Sequence, residues 1–351
     1  MAQRLLTTLV LLTAAVPCRG RPPARDDAVD RAINRGFERL RVLQDSRSGS
    51  WQAAGGRDNP AVTSLAVMAF LAAGHVPGEG RHGEAVEKGI RCVLGHQQAN
   101  GLIATTGSLE MYHHGISTLM LAEVAGMTGS ELGRVARGSL ERAVGIILRA
   151  QRNRGPDGGG WRYRVAPIDG ADISVTGWQL MALRAAKNLG CDIPAGHIDR
   201  AVDYVKRLQD PRAGGFTYNT QGGLRASCTA TGILALEVCG KERHHSDEAL
   251  RAGAFLIQDR NLPRWGQEWF FYSVYYGAQA AFQLGGNYWA VYRPRMQEVL
   301  LDYQQADGGW VGRSRDALAG GPAYCTAMAI LALTVDYRYL PIYQRGEEPG
   351  D

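Results

Sequence analysis

The chain has 351 residues, 45% of them hydrophobic and 21% charged, a composition that supports a folded domain with a sizeable core and excludes disorder as the default. Its formal charge of +5 is spread without any basic run interleaved with aromatics, so nucleic acid is not an expected partner. The six cysteines are widely separated and do not form the framework of a disulfide-stapled domain.

At the N-terminus, Arg4 precedes an uncharged stretch from Leu5 to Val16, followed by small residues. This is the layout of a signal peptide over residues 1–20, too short for a membrane span. It predicts an exported protein, periplasmic or extracellular, with no transmembrane span after leader removal. Cleavage is expected after Ala15 or Gly20, and Cys18 is a candidate lipid anchor, although Pro17 departs from the acylation motif.

From about residue 26 to residue 343 the chain repeats itself six times, in units 28–77, 83–129, 133–194, 197–242, 246–287 and 293–340, which read as one domain. Residues 344–351 read as a disordered tail. Each unit opens with an amphipathic segment ending in a glutamine: Gln44, Gln97, Gln151, Gln209, Gln258 and Gln304. In the fourth unit Ile198, Val202, Val205 and Leu208 share one face while Asp199, Arg200, Asp203, Lys206 and Arg207 occupy the others, as on a helix with one wet side. A glycine-rich turn follows, often with an aromatic: Gly49-Ser50-Trp51, Gly158-Gly159-Gly160-Trp161, Gly214-Gly215-Phe216 and Gly308-Gly309-Trp310.

The second segment of each unit is apolar or small almost all round: Thr63–Ala73, Gly115–Ala125, Ser174–Leu189, Thr229–Cys239, Ser273–Leu284 and Cys325–Val335. Such helices must be buried on most faces. Several end at glycine (Gly74, Gly126, Gly190, Gly240, Gly285), suited to a left-handed C-terminal turn. Six inner helices wrapped by six outer ones is therefore the predicted all-α architecture. The glutamines and tryptophans are expected to be staples of this scaffold rather than ligand contacts, because they belong to the repeat itself.

Gln304, three residues, Gly308, one residue and Trp310 reproduce the Q-x-x-x-G-x-W repeat, and the first, third and fourth units carry looser versions. The chain thus resembles squalene-hopene and oxidosqualene cyclases over nearly its whole mature length. The resemblance implies the α/α toroid that those enzymes share with protein prenyltransferase β subunits. Cyclases of this family protonate an alkene with the central Asp of a DxDD motif at the start of an inner helix. Here that place reads Asp169-Gly170-Ala171-Asp172-Ile173-Ser174-Val175-Thr176, leading into Trp178. With Asp172 as the first Asp, Ser174 and Val175 replace the next two; with Asp172 as the last, Ala171 stands at the catalytic position. Neither frame supplies the strong acid that alkene protonation demands. Asp172 reads instead as an N-cap.

Prenyltransferase β subunits hold zinc through Asp-x-Cys and a histidine. The matching segment is Ala226-Ser227-Cys228, with the cysteine present and the aspartate absent, and Cys325 at the histidine's place. Counting along the inner helices sets Val62, His114, Val175, Cys228, Ser273 and Cys325 in equivalent positions. Ligands on alternate units would have to span the ring, so no metal and no cofactor is expected.

Parallel inner helices would bring their N-termini to one mouth, favourable for anions, with Arg57, Arg162, Arg164, Arg225, Arg313 and Arg315 in the loops leading to it and Asp58, Asp157, Asp169 and Asp316 as their rim partners. The candidate catalytic residues are Asp172, Asp169 and His113, with Glu110 a potential partner of His113. The candidate ligand contacts are His114, Trp178, Cys228, Arg225 and, in the aromatic-rich fifth unit, Trp269, Tyr272 and Tyr275. Free buried thiols are the expectation for the cysteines, with a Cys191–Cys239 bridge the alternative.

Function then reads as a cyclase-like toroid without the proton donor, one that binds an apolar or isoprenoid-like molecule or a protein partner. A divergent isoprenoid cyclase or prenyltransferase-type enzyme is one alternative. A carbohydrate-active α/α barrel, with Glu268 beside Trp265 and Trp269 and with Asp169 or Asp172 as its carboxylates, is the other.

Overall fold

The computed structural model describes residues 27–344 apart from 106, 108, 167–169 and 240–244, so Asp169, Cys18 and the signal segment lie outside the described residues. Twelve α-helices are found among them. The outer ones are α1 (Asp27–Leu43), α3 (Gly83–Gly95), α5 (Glu131–Ala150), α7 (Ala195–Arg207), α9 (Asp247–Leu256) and α11 (Gly286–Asp302). The inner ones are α2 (Pro60–Ala72), α4 (Glu110–Met127), α6 (Ile173–Asn188), α8 (Ala226–Val238), α10 (Phe270–Leu284) and α12 (Arg315–Leu333). Each inner helix packs on the next, and α12 returns to α2, so the inner six close a ring; α1 packs on α12 to complete the outer layer. This is the expected α/α toroid.

Apolar content decides which layer a helix joins. Every residue of α2 is buried, and Asn59 starts it by accepting the N–H groups of Ala61 and Val62 at 2.9 and 3.2 Å. Helix α12 is long and apolar enough to cross a membrane, but its apolar window is 72% buried in the ring. Its inner course begins only after a break at Gly321, where φ is +78°. Gly126, expected to end a helix, lies inside α4, whereas Gly74 and Gly190 adopt the left-handed conformation expected of them.

The glutamines stitch each unit to the next. The Nε2 of Gln44 donates to the Gly49 carbonyl of its own turn and to the Ala85 carbonyl of α3, both at 2.9 Å. Gln97 bridges Gly101 and Ser139, Gln151 bridges Gly159 and His197, and Gln209 bridges Gly214 and Glu248. Gln304 closes the circle by donating to Gly308 and to Ala32 of α1, both at 2.8 Å. Among the described residues no such bond joins Gln258; in that irregular unit Asn261 Nδ2 donates to Phe255 O at 2.7 Å instead.

The aromatics plug the turns. The indole N–H groups of Trp51, Trp161 and Trp310 donate to the carbonyls of Leu40, Ile147 and Leu300 at 2.7 to 2.8 Å. Each aromatic's backbone N–H in turn donates to a threonine of the inner helix: Trp51 to Thr63, Trp161 to Thr176, Phe216 to Thr229 and Trp310 to Thr326. Turn geometry here leaves no space: at Gly159, φ is +98° and a Cβ would meet the Arg200 carbonyl oxygen at 2.0 Å.

Candidate functional site at the mouth of the ring

The threonine staple corrects the frame read from sequence. Equivalent positions are Thr63, His114, Thr176, Thr229 and Thr326, one residue later than the count through Val62, Val175, Cys228 and Cys325, with His114 alone in both frames. In the second unit His114 takes the threonine's place: Nδ1 accepts the Ile103 N–H at 3.1 Å and Nε2 donates to the Ala143 carbonyl at 3.0 Å. Burial holds its pKa down to about 4, so it stays neutral in this tautomer. Both nitrogens are engaged within the scaffold, and His114 has none left for a ligand.

His113 sits beside Thr105, whose hydroxyl and N–H lie 3.3 and 3.4 Å from its Nδ1, and burial lowers its pKa to about 4 as well. Its expected partner turns elsewhere, since Glu110 Oε2 accepts the Val165 N–H at 3.2 Å. Among the described residues no disulfide joins Cys191 to Cys239, and burial pushes the Cys228 thiol up to about 12. Among the described residues, no three His, Cys, Asp or Glu side chains converge as metal ligands would.

What assembles at the mouth is a carboxyl ringed by tyrosines. Asp172 caps α6 and is fully buried. Its Oδ1 accepts three bonds, from the N–H groups of Ser174 and Val175 at 3.0 Å and from the Ser174 hydroxyl at 2.5 Å. Its Oδ2 is buried with no partner. Burial raises its pKa, against the pull of those donors and of Arg162. Around it, the Tyr112 hydroxyl bonds Ser174 Oγ at 2.5 Å, the Tyr163 and Tyr218 hydroxyls bond each other, and the Tyr272 hydroxyl bonds Thr231 Oγ1 at 2.7 Å. Burial, and after it the Asp172 charge, holds Tyr112 and Tyr218 well above the ordinary phenol range.

Loops of the following unit place these rings. Tyr163 and Tyr218 stand two residues after the staple aromatics Trp161 and Phe216, and their carbonyls accept the first N–H groups of α4 (Met111) and α6 (Ile173), both at 2.9 Å. The sequence expectations do not include them, although the aromatic-x-Tyr spacing that recurs at Trp161–Tyr163 and Phe216–Tyr218 marks both. Arg162 lies over Tyr163 and Tyr218, and the exposed Arg225 over Tyr218. Outside this cluster opens a cleft of about 620 Å³, lined by Asp157, Arg162, Tyr163, Gly170, Ala171, Asn219, Thr220 and Gln221. Its floor is the backbone just ahead of Asp172.

The remaining candidates are dispersed. Trp178 and Tyr275, from inner helices two apart in the ring, stack at 5.5 Å across the axis, and Tyr276 meets Trp178 edge-on; all three are buried. Trp269 is half-buried in a left-handed conformation, its indole N–H without a partner. Glu268 is exposed on the rim, 3.7 Å from Arg315. Trp265 stacks on Tyr303 at 4.4 Å.

No family model matches the chain, and no curated protein does. Solved structures match in fold. The GH76A α-1,6-mannanase from Salegentibacter sp. is similar over 89% of this chain and 100% of its own, at 11% identity and a TM-score of 0.66. The type II terpene cyclase MstE from Scytonema matches 90% of this chain and 100% of its own at 17% identity and a TM-score of 0.59. Cellobiose 2-epimerase from Bacillus thermoamylovorans matches 87% and 98%, at 12% identity and a TM-score of 0.66. The likeness is one of fold. Such rings host unrelated chemistries, so function must be argued from the site.

Proposed function

We propose that this protein binds a polar, hydroxyl-rich molecule of the carbohydrate class in the cleft at the mouth, between its third and fourth units. One contrast carries the reading. The cleft presents the amides of Asn219 and Gln221, the Thr220 hydroxyl, a carboxylate and a guanidinium, whereas the axis, where an isoprenoid chain would lie, holds the packed rings of Trp178, Tyr275 and Tyr276. Buried aromatic packing disfavours an isoprenoid chain entering the axis from the mouth, and convergent polar groups favour a sugar. Two of the fold neighbours are named for sugar chemistry, and a variant of the mannanase is described in complex with α-1,6-mannotriose. Titration calorimetry against a panel of oligosaccharides should give binding that the Asn219→Ala, Gln221→Ala double variant weakens at least tenfold. Retention of squalene or geranylgeranyl diphosphate, with no sugar bound, would overturn the proposal.

Asp172 supports a second reading, acid catalysis from beneath the floor of this cleft. A carboxyl with one oxygen saturated by three donors and the other buried without a partner is suited to hold a proton on that second oxygen, and it would deliver that proton to a leaving oxygen only once the tyrosines above it part to bring the two within hydrogen-bond reach. Asparagine caps helices as well as aspartate does. Asp172→Asn should therefore keep the melting temperature while removing any turnover of a bound glycoside; unchanged turnover would exclude the role.

A further inference from the structure

The end of the ring opposite the mouth is closed by residues 334–344, two short 3₁₀ turns (Val335–Tyr337 and Pro341–Tyr343) that follow α12. They lie over the C-terminal ends of the inner helices. Pro341 sits against Gly126 of α4, where a Cβ would meet it at 3.3 Å, and Tyr339 sits against Gly74 beyond α2, at 3.1 Å. Between them Tyr343 reaches down the axis. Its hydroxyl shares a 2.6 Å bond with the Tyr275 hydroxyl, in the first half of α10, and lies 3.6 Å from the sulfur of Met181 on α6. It thus occupies the axis as a bound phenol would.

Beyond the turn bond from its own N–H to the Leu340 carbonyl at 3.1 Å, two polar contacts hold this backbone to the ring, while the side chains of Leu340, Ile342 and Tyr343 are buried. The Gln283 amide donates to the Tyr343 carbonyl at 3.3 Å, and the Ile342 N–H donates to Glu123 Oε2 at 3.4 Å, both long for such bonds. Glu123 is itself an anomaly: 1% exposed on an inner helix, with Oε1 buried and unpartnered. Desolvation pushes its pKa to about 8, opposed only by the Ile342 N–H. The titratable groups facing it are Tyr275 of α10 and Tyr343 of the closing segment. Helix α2 has no titratable side chain, α5 buries no charged one, and Arg184 and Lys187 of α6 stand at partly and fully exposed positions. Arg338, at the bend between the two turns, holds a left-handed φ of 56°, which a non-glycine residue adopts at a cost.

We propose that residues 338–344, beyond the anchors of Tyr337 on Asp30 and of Asp336 on Arg293, are a displaceable strap, and that the chamber Tyr343 fills takes, when the strap leaves, an apolar molecule carrying one phenol or alcohol group. Tyr275, Met181 and Gln283 would then face that molecule as they now face Tyr343. Above pH 8, ionisation of Glu123 beneath the strap favours the open form, because the carboxylate then seeks water.

Hydrogen exchange read by mass spectrometry tests this with p-cresol as the probe. On the wild-type chain, millimolar p-cresol should speed exchange in the strap peptide severalfold while slowing it in the peptides that carry Glu123 and Met181. Simple fraying of a chain end gives no such opposite response. The Tyr343→Ala variant should gain melting temperature on adding p-cresol. Exchange unchanged in both regions, or Tyr343→Ala folded and indifferent to p-cresol, overturns the proposal.

Discussion

Replacing Trp310 by alanine should cost about 3–5 kcal/mol and release the first helix from the last, as a large fully buried aromatic at a seam demands. Trp310 is 0% exposed, and its indole N–H satisfies the Leu300 carbonyl. Across the seam it lies against Gly36 of α1, where even a methyl group would be 3.1 Å from the indole. The same face is joined by Gln304 to Ala32, by Arg35 to the Gln305 carbonyl at 2.8 Å and by Arg39 to Asp307 at 3.1 Å. Trp161→Ala, with equal burial inside the ring, is the matched control. Both variants should lose comparable stability in urea, but only Trp310→Ala should leave α1 open to hydrogen exchange. Equal protection of α1 in the two would show that the seam does not depend on this ring.

The second large effect runs the other way. Glu123→Gln should stabilise the protein, by an amount that depends on pH. Between the ordinary carboxyl pKa of 4.5 and the folded value near 8, the unfolded chain has shed this proton and the native chain still holds it. Native stability therefore falls as pH rises through that window. Glutamine has no proton to lose. Its advantage should be absent below pH 4.5, grow steadily above it and level off past pH 8 at roughly 1–3 kcal/mol, after allowing for the buried amide's own need for partners. Thermal melts of the two proteins at pH 4, 6 and 8 measure this directly. Parallel curves would mean that Glu123 is solvated or paired.

The ring was legible in the chain because two kinds of helix differ in where they can stand. Segments such as 198–208 carry charge on all but one face, and segments such as 63–73 carry none, so the layers follow from burial alone. The same property hid the site. A helix that is apolar all round has no phase, and counting along it set His114 level with Cys228 when the shared staple sets it level with Thr229. His114 stood out in sequence as chemistry and turns out to be a substitute threonine. Tyr163 and Tyr218 looked like loop residues because what recruits them, the bare N–H groups at the start of α4 and α6, is visible only once the neighbouring unit is in place. Asp172 reads as a cap, which it is, whereas spacing carries no sign that its second oxygen is left alone under four tyrosines. Residues 334–344 carry no periodicity, so the sequence reading ends the last repeat at 340, the domain at 343 and starts a tail at 344, although Gln344 bonds back to Arg338 and Tyr339.

Gln304 reaches forward to Ala32 as Gln44 reaches forward to Ala85, and Tyr337 bonds Asp30 at 2.6 Å beside the same junction. The ring therefore keeps no record of where its chain starts. A circular permutant opened between α2 and α3, with a short flexible link from Gln344 to Asp27, would retain every one of the glutamine bonds, whereas one opened within the fourth turn, between Gln209 and Gly214, would put at risk the bond from Gln209 to the Gly214 carbonyl.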